Sequence, residues 1–473
     1  MIFKEYSQYD AYGLAELIKK KEISTLDAVE SAINKIEELN PEINAVIYQD
    51  YEAALANAKE KESTKLGGLP FLTKGLGAMV KGFPYTFCSK LFRKNVAVED
   101  STLIKRYKNA GAIIIGQTNA PEFGINITTE PALHGPTRNP WNTEYSSGGS
   151  SGGAAAAVAS GMVPVAHASD GGGSIRIPAS CCGVFGLKPT RGRISHGPAG
   201  EGWGGLVAEH VISKSVRDSA WFLDLTNGPS LGDPYFAPPP SEFYLENLDS
   251  PPKKLKIAYT TSSLSGEESS QECVAAVQKT LVLLESMGHE LVEQKICFDY
   301  EKTQHHIHNL IICNLKGDLE AFESARGSRI RSEELEALSY RIHTAAPVIS
   351  GYEYVKSIRY LHSLSRNLAG KFEQFDMFLT PTLATPPPLL NVLRMDTSSF
   401  EEYWRKLFRV NPFCGIFNVT GQPAASIPMH ITDERLPVGV QIAGKYADEE
   451  RLLKLCRQLE LASPWKFPSS PTT

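Results

Sequence analysis

The sequence contains no apolar run of about 18 residues, the length that a helix needs to cross a bilayer. Its start, MIFKEYSQYD, lacks the basic beginning and apolar segment of a secretory signal peptide. There is no excess of basic residues either, since 48 Lys and Arg stand against 53 Asp and Glu, for a net charge of −5. A membrane partner, secretion and a nucleic-acid partner are therefore not indicated. We expect a cytoplasmic protein that acts on a small molecule.

Cysteine is present, but in no pattern that carries chemistry. The eight cysteines are scattered, and the adjacent pair Cys181 and Cys182 has neither redox nor zinc spacing. His305, His306 and His308 cluster in one segment, but no carboxylates stand beside them at ligand spacing. We expect reduced, mostly buried thiols, a solvated helix face that bears the histidines, and no metal site.

Apolar and helical segments alternate along the chain. Short apolar runs predict strands at 43–48, 71–74 and 112–116, and a helix from Ser24 is expected to end before Pro41. A strand-helix-strand pattern follows between 254 and 292, and further apolar segments between 376 and 442 predict more strands, the segment FNVTGQPAASIP among them. This alternation is typical of an α/β fold.

The chain is long enough for about three domains, but large α/β enzymes often keep one continuous core. We predict a single domain over residues 1–466. A polar, helical insertion at about 300–375 is expected to cover the site, and residues 467–473 are expected to form a loose tail.

The stretch from Ser146 to Ser195 holds two clusters in which serine stands among glycines. The first, GGSSGG, spans 148–153, and the second, DGGGS, spans 170–174. Because glycine lacks a Cβ, a backbone can turn sharply there and present consecutive N–H groups to a ligand atom. A hydroxyl beside a row of amides suits acyl transfer, although a glycine-rich turn with incidental serines is the plainer interpretation.

Lys74 ends a short apolar strand and is followed by Gly75. Burial would disfavour its ammonium form and lower its pKa, which would make it a possible base. An ordinary lysine whose stem lies along the surface is the competing interpretation. Another strand, AIIIG, runs into a loop that ends at Gly124, where backbone could approach a substrate or simply turn.

One motif points to an α/β-hydrolase. Gly148, Ser150 and Gly152 satisfy the nucleophile elbow G-x-S-x-G, and Asp376 and His430 follow in the order that a triad would need. The elbow should follow a strand, however, and the preceding NPWNTEYSS predicts a polar loop. In this hypothesis Ser150 would be the nucleophile of an esterase.

The second hypothesis uses both serines and the lysine. A neutral buried lysine can take a proton from serine when its pKa falls from about 10.4 towards about 7–8. Ser150, between Lys74 and Ser174 in this scheme, could relay the proton that Ser174 loses. The amides that would hold the oxyanion are those of Gly171, Gly172, Gly173 and Ser174.

Longer motifs carry a family resemblance. The run GGSSGG, the 24-residue interval from Ser150 to Ser174, the segment DGGGSIRIP and the segment CGVFGLKPTRGR closely resemble the amidase signature family of Ser-Ser-Lys hydrolases. The 76-residue interval from Lys74 to Ser150 is compatible with the family's lysine. The resemblance covers nearly the whole chain. It implies a mixed, mostly parallel central β-sheet flanked by helices in one large domain, and catalysis without a metal or cofactor.

The resemblance also implies roles. Ser174 matches the nucleophile that forms the acyl-enzyme, Ser150 the serine of a cis peptide that passes protons, and Lys74 the base. Gly171, Gly172 and Gly173 match the oxyanion segment, and Gly124 a loop that lines the site. The family commonly has Asp where Gly75 stands and Gly where Cys88 stands, so the support of Lys74 is expected to differ.

Within the family, TTEPALHGPTRNPWN and GLVAEHVISKSVRDSA most resemble the branch of 6-aminohexanoate cyclic-dimer hydrolases. In that branch a cysteine of the helical region lies by the substrate, and Cys313 would match it. The expected activity is hydrolysis of a small linear or cyclic amide, and a homodimer is compatible with it. The alternative within the family is the glutamine-hydrolysing subunit of an aminoacyl-tRNA amidotransferase, which works in a complex.

Overall fold

The computed structural model describes residues 3–58, 64–345, 348–397 and 399–468. Its strands, in chain order, are β1 Val46–Gln49, β2 Pro70–Lys74, β3 Ile113–Thr118, β4 Arg138–Asn139, β5 Asn142–Ser146, β6 Val165–Asp170, β7 Phe185–Lys188, β8 Ala208–Ser213, β9 Lys256–Tyr259, β10 Glu290–Glu293, β11 Met377–Pro381, β12 Ala424–Ile431 and β13 Pro437–Gly444. Its α-helices are α1 Ala11–Lys19, α2 Thr25–Ile43, α3 Tyr51–Ala58, α4 Thr102–Ala110, α5 Gly152–Ala159, α6 Arg176–Cys182, α7 Val216–Thr226, α8 Gln271–Ser286, α9 Tyr300–Arg326, α10 Ala337–Ala345, α11 Gly351–Phe372, α12 Phe400–Val410, α13 Gly415–Thr420 and α14 Glu449–Ala462.

One mixed sheet of eleven strands runs through the molecule, in the order β1-β3-β2-β6-β8-β7-β12-β13-β11-β9-β10. The predicted α/β class, with a mixed sheet flanked by helices, is confirmed. Its parallel pairs are β3 with β2, β2 with β6, β11 with β9 and β9 with β10. The six pairs of the centre and of the β1 edge are antiparallel. Parallel pairing, expected through most of the sheet, is thus confined to two flanks. At the centre, β12 and β13 form a hairpin, a return that needs no crossover helix.

Local differences from the expected elements have local reasons. Pro41 lies inside α2, which runs on to Ile43 and ends at Asn44 in the left-handed conformation. The segment FNVTGQPAASIP is helix before it is strand, because its first four residues belong to α13. The polar run NPWNTEYSS holds the small hairpin β4–β5, which is separate from the main sheet. The glycine-rich segment after Ser195 contains the buried strand β8.

The core has two apolar clusters. The larger lies against the main sheet and includes α5, an Ala-rich helix whose residues are all buried. The second lies beside the C-terminal half of the sheet and joins α9, α11 and α12 through residues such as Leu310, Leu319 and Leu368. The predicted helical insertion at 300–375 corresponds to α9, α10 and α11. Residues of α9 line cavities together with Gly171 and Ser174, which follow the carboxyl end of β6.

The remaining expectations concern the membrane and the tail. No helix in the described ranges has both the length and the apolar character to span a bilayer. Of the predicted tail, Phe467 and Pro468 are described, and the Lys214 Nζ lies 5.0 Å from the centre of the Phe467 ring. Residues 469–473 lie outside the described residues.

Candidate active site

Lys74 is the last residue of β2 and is completely buried. Its Nζ donates to Ser150 Oγ at 2.7 Å, to Ser169 Oγ at 3.0 Å and to the Ser169 carbonyl at 3.5 Å. Burial lowers the pKa of Lys74 to about 8, against the opposing charges of Glu209 and Asp170. At pH 7 about a tenth of this amine is therefore uncharged, and the uncharged form predominates above about pH 8.

A buried acid–imidazole pair supports the backbone of Lys74. The Lys74 N–H donates to His167 Nδ1 at 3.2 Å, so His167 carries its proton on Nε2, which donates to Glu209 Oε2 at 2.6 Å. Burial favours the neutral acid, yet His167, His196 and Lys74 together hold the pKa of Glu209 below its ordinary value. Sequence reasoning missed this pair, although a histidine inside the apolar strand β6 and the Glu in the following segment were visible signals.

Ser150 lies in the loop between β5 and α5, where close backbone approach needs glycine. The Gly149–Ser150 peptide bond is cis, as the resemblance implied for this serine. A Cβ on Gly149 would lie 2.7 Å from the Thr128 carbonyl oxygen, so no other residue fits there. The loop therefore holds the Ser150 hydroxyl at the Lys74 amine.

Ser174 lies in the turn between β6 and α6 and keeps 8% of its surface exposed. The two serine loops are joined, because the Ser151 N–H donates to the Ser174 carbonyl oxygen at 3.2 Å. Ser150 and Ser174 both line one cavity. The structure thus brings Lys74, Ser150 and Ser174 to one place.

The glycine segment before Ser174 is held by Asp170. Its carboxylate accepts the N–H of Gly173 at 2.7 Å and the N–H of Ile175 at 3.1 Å. The Gly173 amide is therefore engaged and is not available to an oxyanion, which corrects the expectation that all three glycine amides would serve. Within the described chain, no hydrogen bond engages the amides of Gly171, Gly172 or Ser174.

Buried polar residues hold Asp170 in turn. Arg176 binds it through Nε and Nη2, each at 2.9 Å, and the Asn418 side chain donates to it at 2.9 Å. Burial would favour its neutral acid, but the Arg176 charge and these hydrogen bonds hold the pKa of Asp170 well below its usual range. Asn411 fixes the loop from the other side by donating to the Gly172 carbonyl at 2.9 Å. Ser174 is thus placed by a rigid, charged support.

Two cavities meet at Ser174, and we call them the large cavity and the small pocket. The large cavity, about 690 Å³, contains Ser150, aromatic side chains such as Tyr85 and Phe322, and three carboxylates. The small pocket, about 80 Å³, lies between α9 and α12 and is mostly apolar. In the described lining of both cavities no Lys or Arg appears; the carboxylates of the large cavity are Glu201, Glu209 and Asp318.

Gly124 lines both cavities and has a φ of +71°. A Cβ there would lie 3.4 Å from Ser150 Oγ, so glycine leaves this wall open beside the hydroxyl. Cys313 lies on α9 and is partly exposed, but it lines neither cavity. The face of α9 towards the cavities carries 304, 307, 308, 311, 314, 315, 318, 319, 321 and 322, and Cys313, two positions after 311, lies on the opposite side of the helix.

Gly75 and Cys88, the two departures from the family pattern, are neighbours in space. A Cβ on Gly75 would lie 3.2 Å from Cys88 Sγ and 3.1 Å from the Thr118 carbonyl oxygen. The thiol therefore occupies the space that a side chain at 75 would need. Burial raises the pKa of Cys88 to about 12, so it stays a neutral thiol beside Lys74.

The residues of the esterase hypothesis are not together. His430 Nε2 lies 2.7 Å from Glu272, and Asp376 pairs with Arg451 at 3.1 Å. Neither lines a cavity that contains Ser150. Ser150 meets a lysine instead of an imidazole.

The histidine cluster is divided. His305 is exposed, His306 Nδ1 shares a hydrogen bond with Ser357 Oγ, and His308 lines the small pocket. The expected solvated helix face is therefore found for His305 alone. Among the residues that the structure describes, no group of three or more His, Cys, Asp or Glu side chains could hold a metal ion.

Comparisons with known proteins cover nearly the whole chain. A family model described as Amidase matches residues 27–453. The 6-aminohexanoate-cyclic-dimer hydrolase of Paenarthrobacter ureafaciens is 34% identical over 482 residues, which takes in 96% of this chain and 95% of that protein.

Solved structures of amidase relatives superpose on nearly the whole chain. The structure of 6-aminohexanoate cyclic dimer hydrolase complexed with substrate superposes with a TM-score of 0.91 at 31% identity, over 98% of this chain and 99% of the other. A glutamyl-tRNA(Gln) amidotransferase subunit from Thermotoga maritima superposes with a TM-score of 0.78 at 26% identity, over 100% and 98%.

Proposed function

The chain belongs to the amidase family, and on this premise we propose that it hydrolyses the carbon–nitrogen bond of a small linear or cyclic amide through an acyl-enzyme on Ser174. The observation that carries the proposal is the 2.7 Å contact between the buried Lys74 amine and Ser150 Oγ, at a cavity that Ser150 shares with Ser174. A base, a relay hydroxyl and a second hydroxyl are the parts that such a reaction needs.

The first half of the reaction forms the acyl-enzyme. Ser174 Oγ attacks the amide carbonyl carbon while its proton passes to Ser150 and the Ser150 proton passes to neutral Lys74. The carbonyl oxygen becomes an oxyanion near the free amides of Gly171, Gly172 and Ser174, which oppose its charge. When the carbon–nitrogen bond breaks, the leaving amine takes the proton back from Ser150, and Lys74 reprotonates Ser150.

The second half of the reaction releases the acid. Water attacks the ester on Ser174 and gives its proton to Lys74 through Ser150. Ser174 leaves as the alcohol by taking that proton back. The relay ends in its starting state, so one lysine serves both halves.

The charge of the site favours uncharged or cationic substrates over glutamine. Protein sites usually hold a carboxylate with a charged donor such as Arg. Neither cavity has a Lys or Arg in its described lining, and the large cavity has three carboxylates. The glutamine-hydrolysing alternative, which the 26% identical amidotransferase subunit represents, therefore has the weaker support.

A substrate panel tests the proposed function. Purified protein is offered a neutral 4-nitroanilide, a linear carboxamide, a cyclic diamide and L-glutamine, with the Ser174→Ala variant as background. We expect hydrolysis of neutral amides and a kcat/KM for glutamine lower by about 100-fold or more, because its carboxylate finds no charged partner. A preference for glutamine, or no hydrolysis of any amide, would contradict the proposal.

The pH dependence of the reaction is expected to follow Lys74. Only the uncharged amine can act as the base, so kcat/KM should rise with pH and level off above about 8. The Glu209 carboxylate stabilises the ammonium and so raises the pKa of Lys74. Glu209→Gln, which keeps an acceptor for His167, should therefore shift the rise to lower pH.

Rates measured from pH 5 to 10 check this expectation. Glu201→Gln is the control, because this carboxylate lines the same cavity but is not among the main charges that act on the pKa of Lys74. If the midpoint of the rise in kcat/KM is the same in Glu209→Gln as in the native protein, or if the profile does not rise near pH 8, Lys74 is not the titrating base.

A further inference from the structure

The small pocket meets the site at Ser174 and lies between two helices of the C-terminal half. Ile307 and Ile311 of α9 form one wall, and Leu407 and Phe408 of α12 form the other. Gly171 and Gly172 belong to its lining as well, so it begins where an oxyanion would be held. An extended, mostly apolar group bonded to the reacting carbonyl carbon would fit this position.

His308 is an imidazole within this mostly apolar lining. Its ring lies 4.1 Å from the Trp404 ring and 5.1 Å from the Phe408 ring, centre to centre. The buried Nε2 has no hydrogen-bond partner among the described residues. Burial, with the nearby His305, lowers the pKa of His308 to about 4, so the imidazole is neutral at ordinary pH. A neutral imidazole offers one donor and one acceptor.

Two other polar side chains at the pocket, those of Asn126 and Asn411, are engaged elsewhere. Asn126 donates to the Leu393 carbonyl at 2.6 Å and accepts the Ile127 N–H at 2.7 Å. Asn411 donates to the Gly172 carbonyl. A buried polar atom without a partner is costly, and one on a side chain that lines a pocket can be satisfied by a bound molecule. His308 is thus available to a bound molecule.

The proton path decides which part of the substrate enters the pocket. The leaving amine has to take its proton from Ser150, and Ser150 lines the large cavity but not the small pocket. The amine part therefore lies in the large cavity, beside the carboxylates. The acyl part extends from the carbonyl carbon in the other direction, into the small pocket.

We propose that the small pocket is the acyl subsite and that His308 determines its specificity by pairing with an uncharged hydrogen-bonding group, such as a second amide, in the acyl chain. This proposal rests on the proposed function. A carboxylate or ammonium at the end of the acyl chain would be desolvated in the pocket without an opposite charge. The subsite should therefore reject charged acyl ends.

Two matched pairs of 4-nitroanilides test the proposal. Acetylglycyl is compared with pentanoyl, and acetyl-β-alanyl with hexanoyl, so that an amide replaces methylene groups in chains of equal length. We expect the native protein to prefer the amide-bearing chain in at least one pair by about tenfold in kcat/KM, the usual scale of one hydrogen bond. His308→Phe, which keeps an aromatic ring in the stack, should reduce that ratio to within about twofold.

Two further variants keep the result interpretable. His308→Gln retains a donor and an acceptor and should keep part of the preference. His305→Asn changes the exposed histidine of the same helix and should keep all of it. General damage to the fold would lower kcat/KM equally for both substrates of a pair. Loss of the His308 contact would instead change the ratio of the two kcat/KM values.

Three results would overturn the proposal. One is a native protein that hydrolyses both members of each pair equally well. Another is an unchanged ratio in His308→Phe. In both of these cases the anilides are still hydrolysed, so the proposed amidase function would be retained. The third is a native protein that hydrolyses none of the four anilides and no other amide, which would overturn the proposed function and this inference together.

Discussion

A Ser174→Ala variant is expected to lose about 10⁴-fold or more of its turnover with every amide that the native protein hydrolyses. Removing the nucleophile of a serine hydrolase eliminates the covalent route and leaves only binding and oxyanion stabilisation. The variant should also fail to react with a fluorophosphonate, which the native protein should accept once per chain. Chromogenic turnover and intact-mass measurement read the two effects separately.

Ser180→Ala is the matched control for Ser174→Ala. Ser180 is also buried, lies on α6 just after Ser174, and accepts the Gly439 N–H at 2.8 Å. Losing this hydrogen bond should cost about 1 kcal/mol of stability and leave turnover within a few fold. Labelling that persists in Ser174→Ala and moves to Ser150 would contradict the assignment and favour the esterase hypothesis.

A Lys74→Met variant is expected to lower kcat/KM by about 10²–10⁴-fold, the usual contribution of a general base. Met fills a similar volume, so the main change is the loss of the amine that contacts Ser150 and Ser169. The remaining activity should no longer rise near pH 8, because the group that titrates there is gone. A purely structural role for Lys74 would lower the rate but leave the shape of the pH profile unchanged.

The chain offers a second buried lysine as the control. Burial and the Arg176 charge lower the pKa of Lys188 to about 7, but its Nζ donates to the Pro189 carbonyl at 2.8 Å and, among the residues that the structure describes, to no hydroxyl. Lys188→Met should keep the rise near pH 8 and most of the turnover. Equal losses in the two variants would show that a buried amine matters for folding and not as a base.

The positions of the proposed relay were open to prediction because each lies in a segment with its own local signal. Lys74 ends an apolar strand, and Ser150 and Ser174 stand among glycines at a family-like spacing. Burial and glycine conformations act over a few residues, so a sequence can report them. The same holds for most strands and helices of the α/β fold.

The support of these groups was not predictable, since it depends on contacts between distant segments. Glu209 reaches His167 only because β6 and β8 pair with Ser169 opposite Glu209. The engagement of the Gly173 amide follows from the loop conformation that Asp170 and Arg176 hold. The pairing directions of the sheet depend on packing across the whole chain in the same way.

Helix geometry could have improved one expectation. The apolar spacing of Ile307, Ile311, Leu315 and Leu319 defines the inner face of α9. His308 lies beside this face, whereas Cys313 lies off it. The family resemblance favours Cys313 as the residue of α9 beside the substrate, whereas the periodicity of the helix favours His308.

A crystal structure of the fluorophosphonate adduct would show whether Ser174 is the nucleophile and whether Ser150 links it to Lys74. We expect phosphorus on Ser174 Oγ and an oxygen of the adduct within about 3.1 Å of the free amides of Gly171 and Gly172. We also expect Ser150 Oγ within hydrogen-bond distance of both Lys74 Nζ and the Ser174 side chain. Phosphorus on Ser150, or a Ser150 hydroxyl too far from Ser174 to pass a proton, would contradict the proposed relay.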